Sequence, residues 1–166
     1  MQSKPAQVTD LFQLSLRIRH PSIDPAEISR ELGVEADHSF RAGEPRRPAS
    51  TLGTAAVHTQ SYWLARLDAA TWPGGIADIV PAIHGSLSAS ARERLRFGTP
   101  ETALTMCAAN LVRNHTAFIR RIQAEGGDVS LLLELSPDTR GFTLTPAVSR
   151  AVSELGIAID LELTDG

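Results

Sequence analysis

The chain has 166 residues, 42% of them hydrophobic, so it can bury about two thirds of its unfolded surface; its single cysteine, Cys107, excludes an internal disulfide and fits a reducing compartment. A net charge of −3 gives no global attraction to nucleic acid or to an anionic membrane, so either would have to be bound through a local basic patch. The first hydrophobic run, over 11–19, is interrupted by Gln13, Ser15, Arg17 and Arg19, which suits neither a secretory leader nor a membrane span; the cytoplasm is the expected location.

Residues 1–9 read as a flexible lead, and 10–166 as one α+β domain. Strict alternation of Phe12, Leu14, Leu16 and Ile18 predicts a first strand over about 10–19. Asp24, Pro25 and Gly33 bracket a short helix over 25–32: a capping carboxylate, a proline where no N–H is needed, and a residue able to leave the helix left-handed. A long connection over 34–61 follows, rich in Arg, Gly and Pro, of a length that usually marks a functional or mobile segment. A second strand is expected over 61–68. Ile76, Ile79, Val80, Ile83 and Leu87 suggest an inserted helical segment over 72–98, divided at Pro81.

The clearest helix starts at Thr99-Pro100, carries Leu104, Cys107, Ala108, Leu111, His115, Phe118, Ile119 and Ile122 on one stripe, and ends at Gly126-Gly127. A third strand over 129–135, a second capped helix over 146–155 between Thr145 and Gly156, and a fourth strand over 157–163 complete the chain. The order suggests a four-stranded, ferredoxin-like antiparallel or mixed sheet with helices on one face. Placing the first strand between the third and fourth sets Arg17 and Arg19 beside Glu134 on one side and Asp160 and Glu162 on the other; such pairs contribute about 0.2–1 kcal/mol each.

The series Asp24-Pro25-x-x-Ile28-x-x-x-Leu32-Gly33, Ala42-Gly43, Trp63, Glu125-Gly126-Gly127 and Gly141-x-x-Leu144-x-Pro146 through Leu155-Gly156-Ile157 resembles the bacterial domain-of-unknown-function family 4279 over about residues 10–163. The resemblance implies a small cytoplasmic bacterial α+β domain and carries no catalytic residues to transfer. The 72–98 segment is longer than that family's pattern.

No catalytic, cofactor-binding or metal-binding set emerges from the residues. Cys107 lies on an apolar stripe, where a thiol commonly serves as a small core residue, and His115 is eight positions away, about 12 Å along a helix. The histidines lack a paired metal-ligand spacing, although His38 and His58 with Asp37 are a conceivable distant set. His84-Gly85-Ser86 is not a nucleophile elbow, and neither Gly74-Gly75 nor Gly126-Gly127 has the lysine of a phosphate loop. The outward strand residues Gln13, Ser15, Arg17, Arg19, Ser130, Leu132, Glu134, Ala158, Asp160 and Glu162 include no aromatic on which a base could stack, so nucleic acid is not expected as a partner.

These features point to a non-enzymatic cytoplasmic protein-binding module, with a toxin-neutralising immunity protein as one concrete version. Its expected contact surface is the charged loop bearing Arg41, Glu44, Arg46 and Arg47, since guanidinium forks pair with carboxylates and loops carry binding more often than scaffolds. Two alternatives are a small-molecule sensor or enzyme with a pocket between the sheet and the inserted helices, using Trp63, Trp72 or a histidine, and a homo-oligomer paired through its sheet. No cofactor and no membrane contact are expected.

Overall fold

The computed structural model describes residues 12–46, 56–67, 99–137 and 141–163. The expected lead over 1–9, the inserted helices over 72–98 with Trp72 and His84, and Arg47 lie outside the described residues. The described chain runs β1 (Phe12–His20), α1 (Pro25–Leu32), β2 (His38–Phe40), β3 (Ser61–Arg66), α2 (Pro100–Asn110), a π turn (Leu111–His115), α3 (Thr116–Ala124), β4 (Asp128–Leu135), α4 (Pro146–Leu155) and β5 (Ala158–Leu163).

The fold is mixed α/β, but among the described residues the sheet has five strands in the order β2-β3-β1-β4-β5, not four in a ferredoxin-like arrangement. β1 lies between β3 and β4, antiparallel to both, and β5 runs parallel to β4. The expected placement of the first strand beside the last is therefore corrected. β4 is buried on both faces from Val129 to Leu133, and a strand so enclosed needs a neighbour on each side; β5, mostly exposed, takes the edge. The fifth strand escapes sequence reading because β2 is three residues, too short to carry a period of its own.

The period-two pattern of the strands sorts side chains as expected. Leu14, Leu16, Ile18, Trp63, Ala65, Val129, Leu131 and Leu133 are buried on one face, beneath Ile28 and Leu32 of α1, Leu104 of α2, Ile119 and Ile122 of α3, and Val148 and Leu155 of α4. Arg17 and Glu134 take the opposite face. β1, α1, β3, α2, α3, β4 and α4 share one hydrophobic cluster, against which Ile159 of β5 packs. Trp63, fully buried, fastens α1 to β3 by donating its indole N–H to Ser29 Oγ at 3.0 Å, so it belongs to the core rather than to a pocket lining.

Both capped helices form as their end residues dictate. Asp24 accepts from the Ala26 N–H at 3.0 Å and Thr145 from that of Val148 at 3.3 Å, while Gly33 and Gly156 take left-handed φ of 68° and 65°. The helix expected to run unbroken from residue 100 is instead interrupted by a π turn at Leu111–His115; Thr116 Oγ1 donates to the Val112 carbonyl there at 2.7 Å, drawing that carbonyl toward a side chain. His115 is only half-buried as a result, whereas its stripe neighbours Leu111, Phe118 and Ile119 are buried.

His20 is buried at the end of β1 and fixes the turn into α1. Its Nδ1 accepts from the Ser22 and Ile23 N–H groups at 3.1 and 2.8 Å, which leaves the ring proton on Nε2, 3.1 Å from Glu125 Oε2. The ring rests on Gly127, where a Cβ would come within 2.8 Å of His20 Cδ2 and of the Arg19 carbonyl; only glycine fits that approach.

Candidate functional site

The long connection is largely ordered in its described part. β2 pairs with β3, and the ribbon continues outward: the Gly43 N–H donates to the His58 carbonyl at 2.7 Å, the His58 N–H to the Glu44 carbonyl at 2.9 Å, and the Arg46 N–H to the Ala56 carbonyl at 2.7 Å. Gly, Pro and Arg side chains hide this ribbon in the sequence because its pairing is made by backbone groups.

The ribbon gathers four rings on the sheet face away from the helices. Phe40 lies directly opposite Tyr62, with ring centres 5.1 Å apart and planes 12° from parallel. His58 stacks on Phe40 at 3.6 Å and 19°. Two rings that near-parallel cannot share one face of Phe40 without overlapping, so Phe40 is held between them. His38 meets Phe40 and Tyr62 edge-on at 5.9 and 5.8 Å. Arg19 of β1 stands opposite Tyr62 and Arg17 opposite Leu64.

This cluster overturns the premise that the open face lacks aromatic residues. The rings belong to β2, β3 and the ribbon, none of which entered that list of outward residues. The stack nonetheless closes both faces of Phe40 to an incoming base, which differs from the exposed ring platforms of single-strand binders. Burial raises the Tyr62 phenol above its ordinary value, against the opposing pull of Arg17 and Arg19, so the hydroxyl stays protonated at neutral pH.

The far side of the same face is acidic. Arg17 Nε donates to Ser130 Oγ at 3.2 Å and its guanidinium pairs with Asp160, while Gln13 Nε2 donates to Glu134 Oε2 at 2.7 Å. Between the two halves, Ser15 and Leu132 are buried.

Of the loop residues expected to meet a partner, Arg41 is engaged within the chain. Its Nε donates to Asp24 Oδ1 at 3.0 Å, its NH2 group pairs with the other carboxylate oxygen, and its backbone N–H donates to Glu44 Oε2 at 3.0 Å. The guanidinium holds the Asp24 carboxyl below its ordinary range, and the carboxylate raises Arg41 in turn. Arg41 and Glu44 are thus brought together as a clasp over the start of α1, Arg46 is exposed on the ribbon, and Arg47 lies outside the described residues. Arg121 is likewise engaged within the chain: its NH2 donates to Glu27 Oε1 at 2.6 Å, and its Cζ lies 5.2 Å from the Phe118 ring centre.

Reactive candidates are placed in structural roles. Cys107 is buried among apolar side chains, which pushes its thiol up to about 12. Burial lowers His115 below its ordinary value despite the Glu31 carboxylate. Asp37, a conceivable metal ligand with His38 and His58, accepts from the Arg66 N–H at 2.6 Å, and no group of three metal-ligating side chains occurs among the described residues. No described helix is long and apolar enough to cross a membrane. Phe40, Tyr62 and Arg19 were missed as site residues, and His38 and His58 were weighed only as metal ligands; the alternate spacing of His38 and Phe40, and of Tyr62 and Leu64, was the available signal. No family model, curated protein or solved structure matches the chain.

Proposed function

We propose that the chain is a non-enzymatic protein-binding module whose contact surface is the aromatic and arginine patch formed by His38, Phe40, His58, Tyr62 and Arg19, flanked by Arg46. The observation that carries this reading is the cross-strand stack of Phe40, Tyr62 and His58 on the sheet face opposite the core. Tyrosine and arginine are the residues that most often dominate protein interfaces, because they combine large contact area with directed polar ends. The clasp between Arg41 and Asp24 supports the reading in a second role, by fastening the stretch that follows β2 to α1 and so presenting the rings in fixed positions. The resemblance to domain-of-unknown-function family 4279 is likewise a proposal, resting on its ordered motifs.

Affinity capture from native cell extract, with wild type and a Phe40→Ala/Tyr62→Ala variant in parallel, tests the assignment. Proteins retained by wild type are expected to be lost from the folded variant. Equal retention by both would remove the patch from the interface.

A further inference from the structure

The opposite edge of the sheet carries a second surface, beyond the aromatic patch. β5 is the last strand, joined to β4 on one side only among the described residues. Its six residues, Ala-Ile-Asp-Leu-Glu-Leu, contain no proline or lysine, two of the usual means by which an edge is made unwelcoming to another strand. Leu161 and Leu163 sit opposite the buried Leu133 and Leu135, on the helix-covered face, yet are 54% and 78% exposed. Among the described residues, the core face of the sheet therefore continues to an exposed apolar edge.

On the other face the edge is acidic and incompletely balanced. Asp160 is paired with Arg17, but Glu162 lies directly opposite Glu134, and no basic side chain pairs with either glutamate among the described residues. Like charges directly opposed across two strands are unfavourable. A basic side chain on a further strand would relieve that opposition.

A second copy of this chain is the wrong occupant. Residues directly opposite one another in a sheet point to the same face, so antiparallel pairing of two β5 strands about a two-fold axis sets Asp160 and Glu162 only against Asp160, Glu162 or Ala158 of the other copy. Every register that overlaps the two acidic positions brings carboxylates together.

We propose that β5 accepts an extended segment of a protein partner as a sixth strand, one that alternates apolar side chains, laid on Leu161 and Leu163, with basic side chains set against Glu162 and Glu134. Backbone hydrogen bonds supply the pairing, and the alternation sets which sequences fit.

A blocked, fluorescently labelled nine-residue peptide alternating isoleucine and arginine serves as the probe, titrated against the full chain by anisotropy. Binding is expected, weakening as salt is raised, with Glu162→Lys and Leu163→Asp each reducing affinity several-fold. The Glu162→Lys protein should recover affinity for the same peptide with glutamate in place of arginine. Alternate N-methylation of the peptide backbone should abolish binding. The Phe40→Ala/Tyr62→Ala variant should bind the peptide as wild type does, which separates this edge from the aromatic patch. Absence of binding, equal binding of the acidic peptide to wild type, or unchanged affinity in both β5 variants would overturn the proposal, as would sedimentation showing a dimer that Leu163→Asp dissociates.

Discussion

Arg17 of β1 reaches across the whole width of β4 to the carboxylate of Asp160 on β5. The path lies over Ser130, directly opposite Arg17, whose hydroxyl accepts from Arg17 Nε at 3.2 Å. A small residue at that position lets an arginine tie together two strands that never touch. The charge match expected between the first and last strands is thus real for this pair, although a different sheet order produces it.

Ser130→Val should therefore destabilise the protein more than Ser130→Ala, since the larger side chain blocks the guanidinium as well as removing its acceptor. Asp160→Asn should cost about 1 kcal/mol, the upper range for a partly exposed pair. Urea unfolding of the three variants checks the order. Equal losses for Ser130→Val and Ser130→Ala would show that Arg17 does not depend on the space above Ser130.

The His20 ring should carry its proton on Nε2, because two backbone N–H donors occupy Nδ1. Nitrogen-15 NMR of the ring reads the tautomer directly. His20→Ala leaves two N–H groups without their acceptor and should cost about 1–3 kcal/mol, while His20→Asn, whose carbonyl can take the place of Nδ1, should lose less.

Cys107 should resist a polar thiol reagent until the protein unfolds, and Cys107→Ala should cost about 1 kcal/mol. The raised thiol value also has a sign. The folded state disfavours the thiolate, so the stability contribution is complete below about 9 and declines as pH rises from there toward about 12. Unfolding of wild type and Cys107→Ala across that range should show the difference between them shrinking. Rapid labelling without denaturant would contradict the buried assignment.

Arg41→Ala should return the Asp24 carboxyl toward its ordinary value, since the Arg41 hydrogen bond is the largest cause of its depression. With Arg41 in place, the clasp contributes above the unfolded carboxylate value near 3.8 and is lost as pH falls through the lower folded value. A carbon-13 titration of the Asp24 side chain follows this directly; an unchanged titration in the variant would dissolve the clasp.

The parts of the fold that were legible are those in which local chemistry and packing agree. Asp24-Pro25 and Thr145-Pro146 start helices, Gly33 and Gly156 end them, and the alternation of Leu14, Leu16 and Ile18 or of Val129, Leu131 and Leu133 places each strand's core face. Strand order was not legible, because Arg17 can meet Asp160 in either arrangement once Ser130 is small. The aromatic site was hidden for a similar reason. Phe40 and Tyr62 are 22 positions apart, and His58 joins them only through backbone pairing of Gly43 and Glu44 with His58 itself, which no side-chain pattern reports.

Whether a protein partner covers the aromatic patch is read residue by residue from hydrogen exchange of the captured complex. Exchange should slow on binding over β2 and β3, at His38–Phe40 and Ser61–Arg66, and around His58, with the helices unchanged. Protection confined to α2, α3 or α4, with β2 and β3 exchanging as in the free protein, would contradict it.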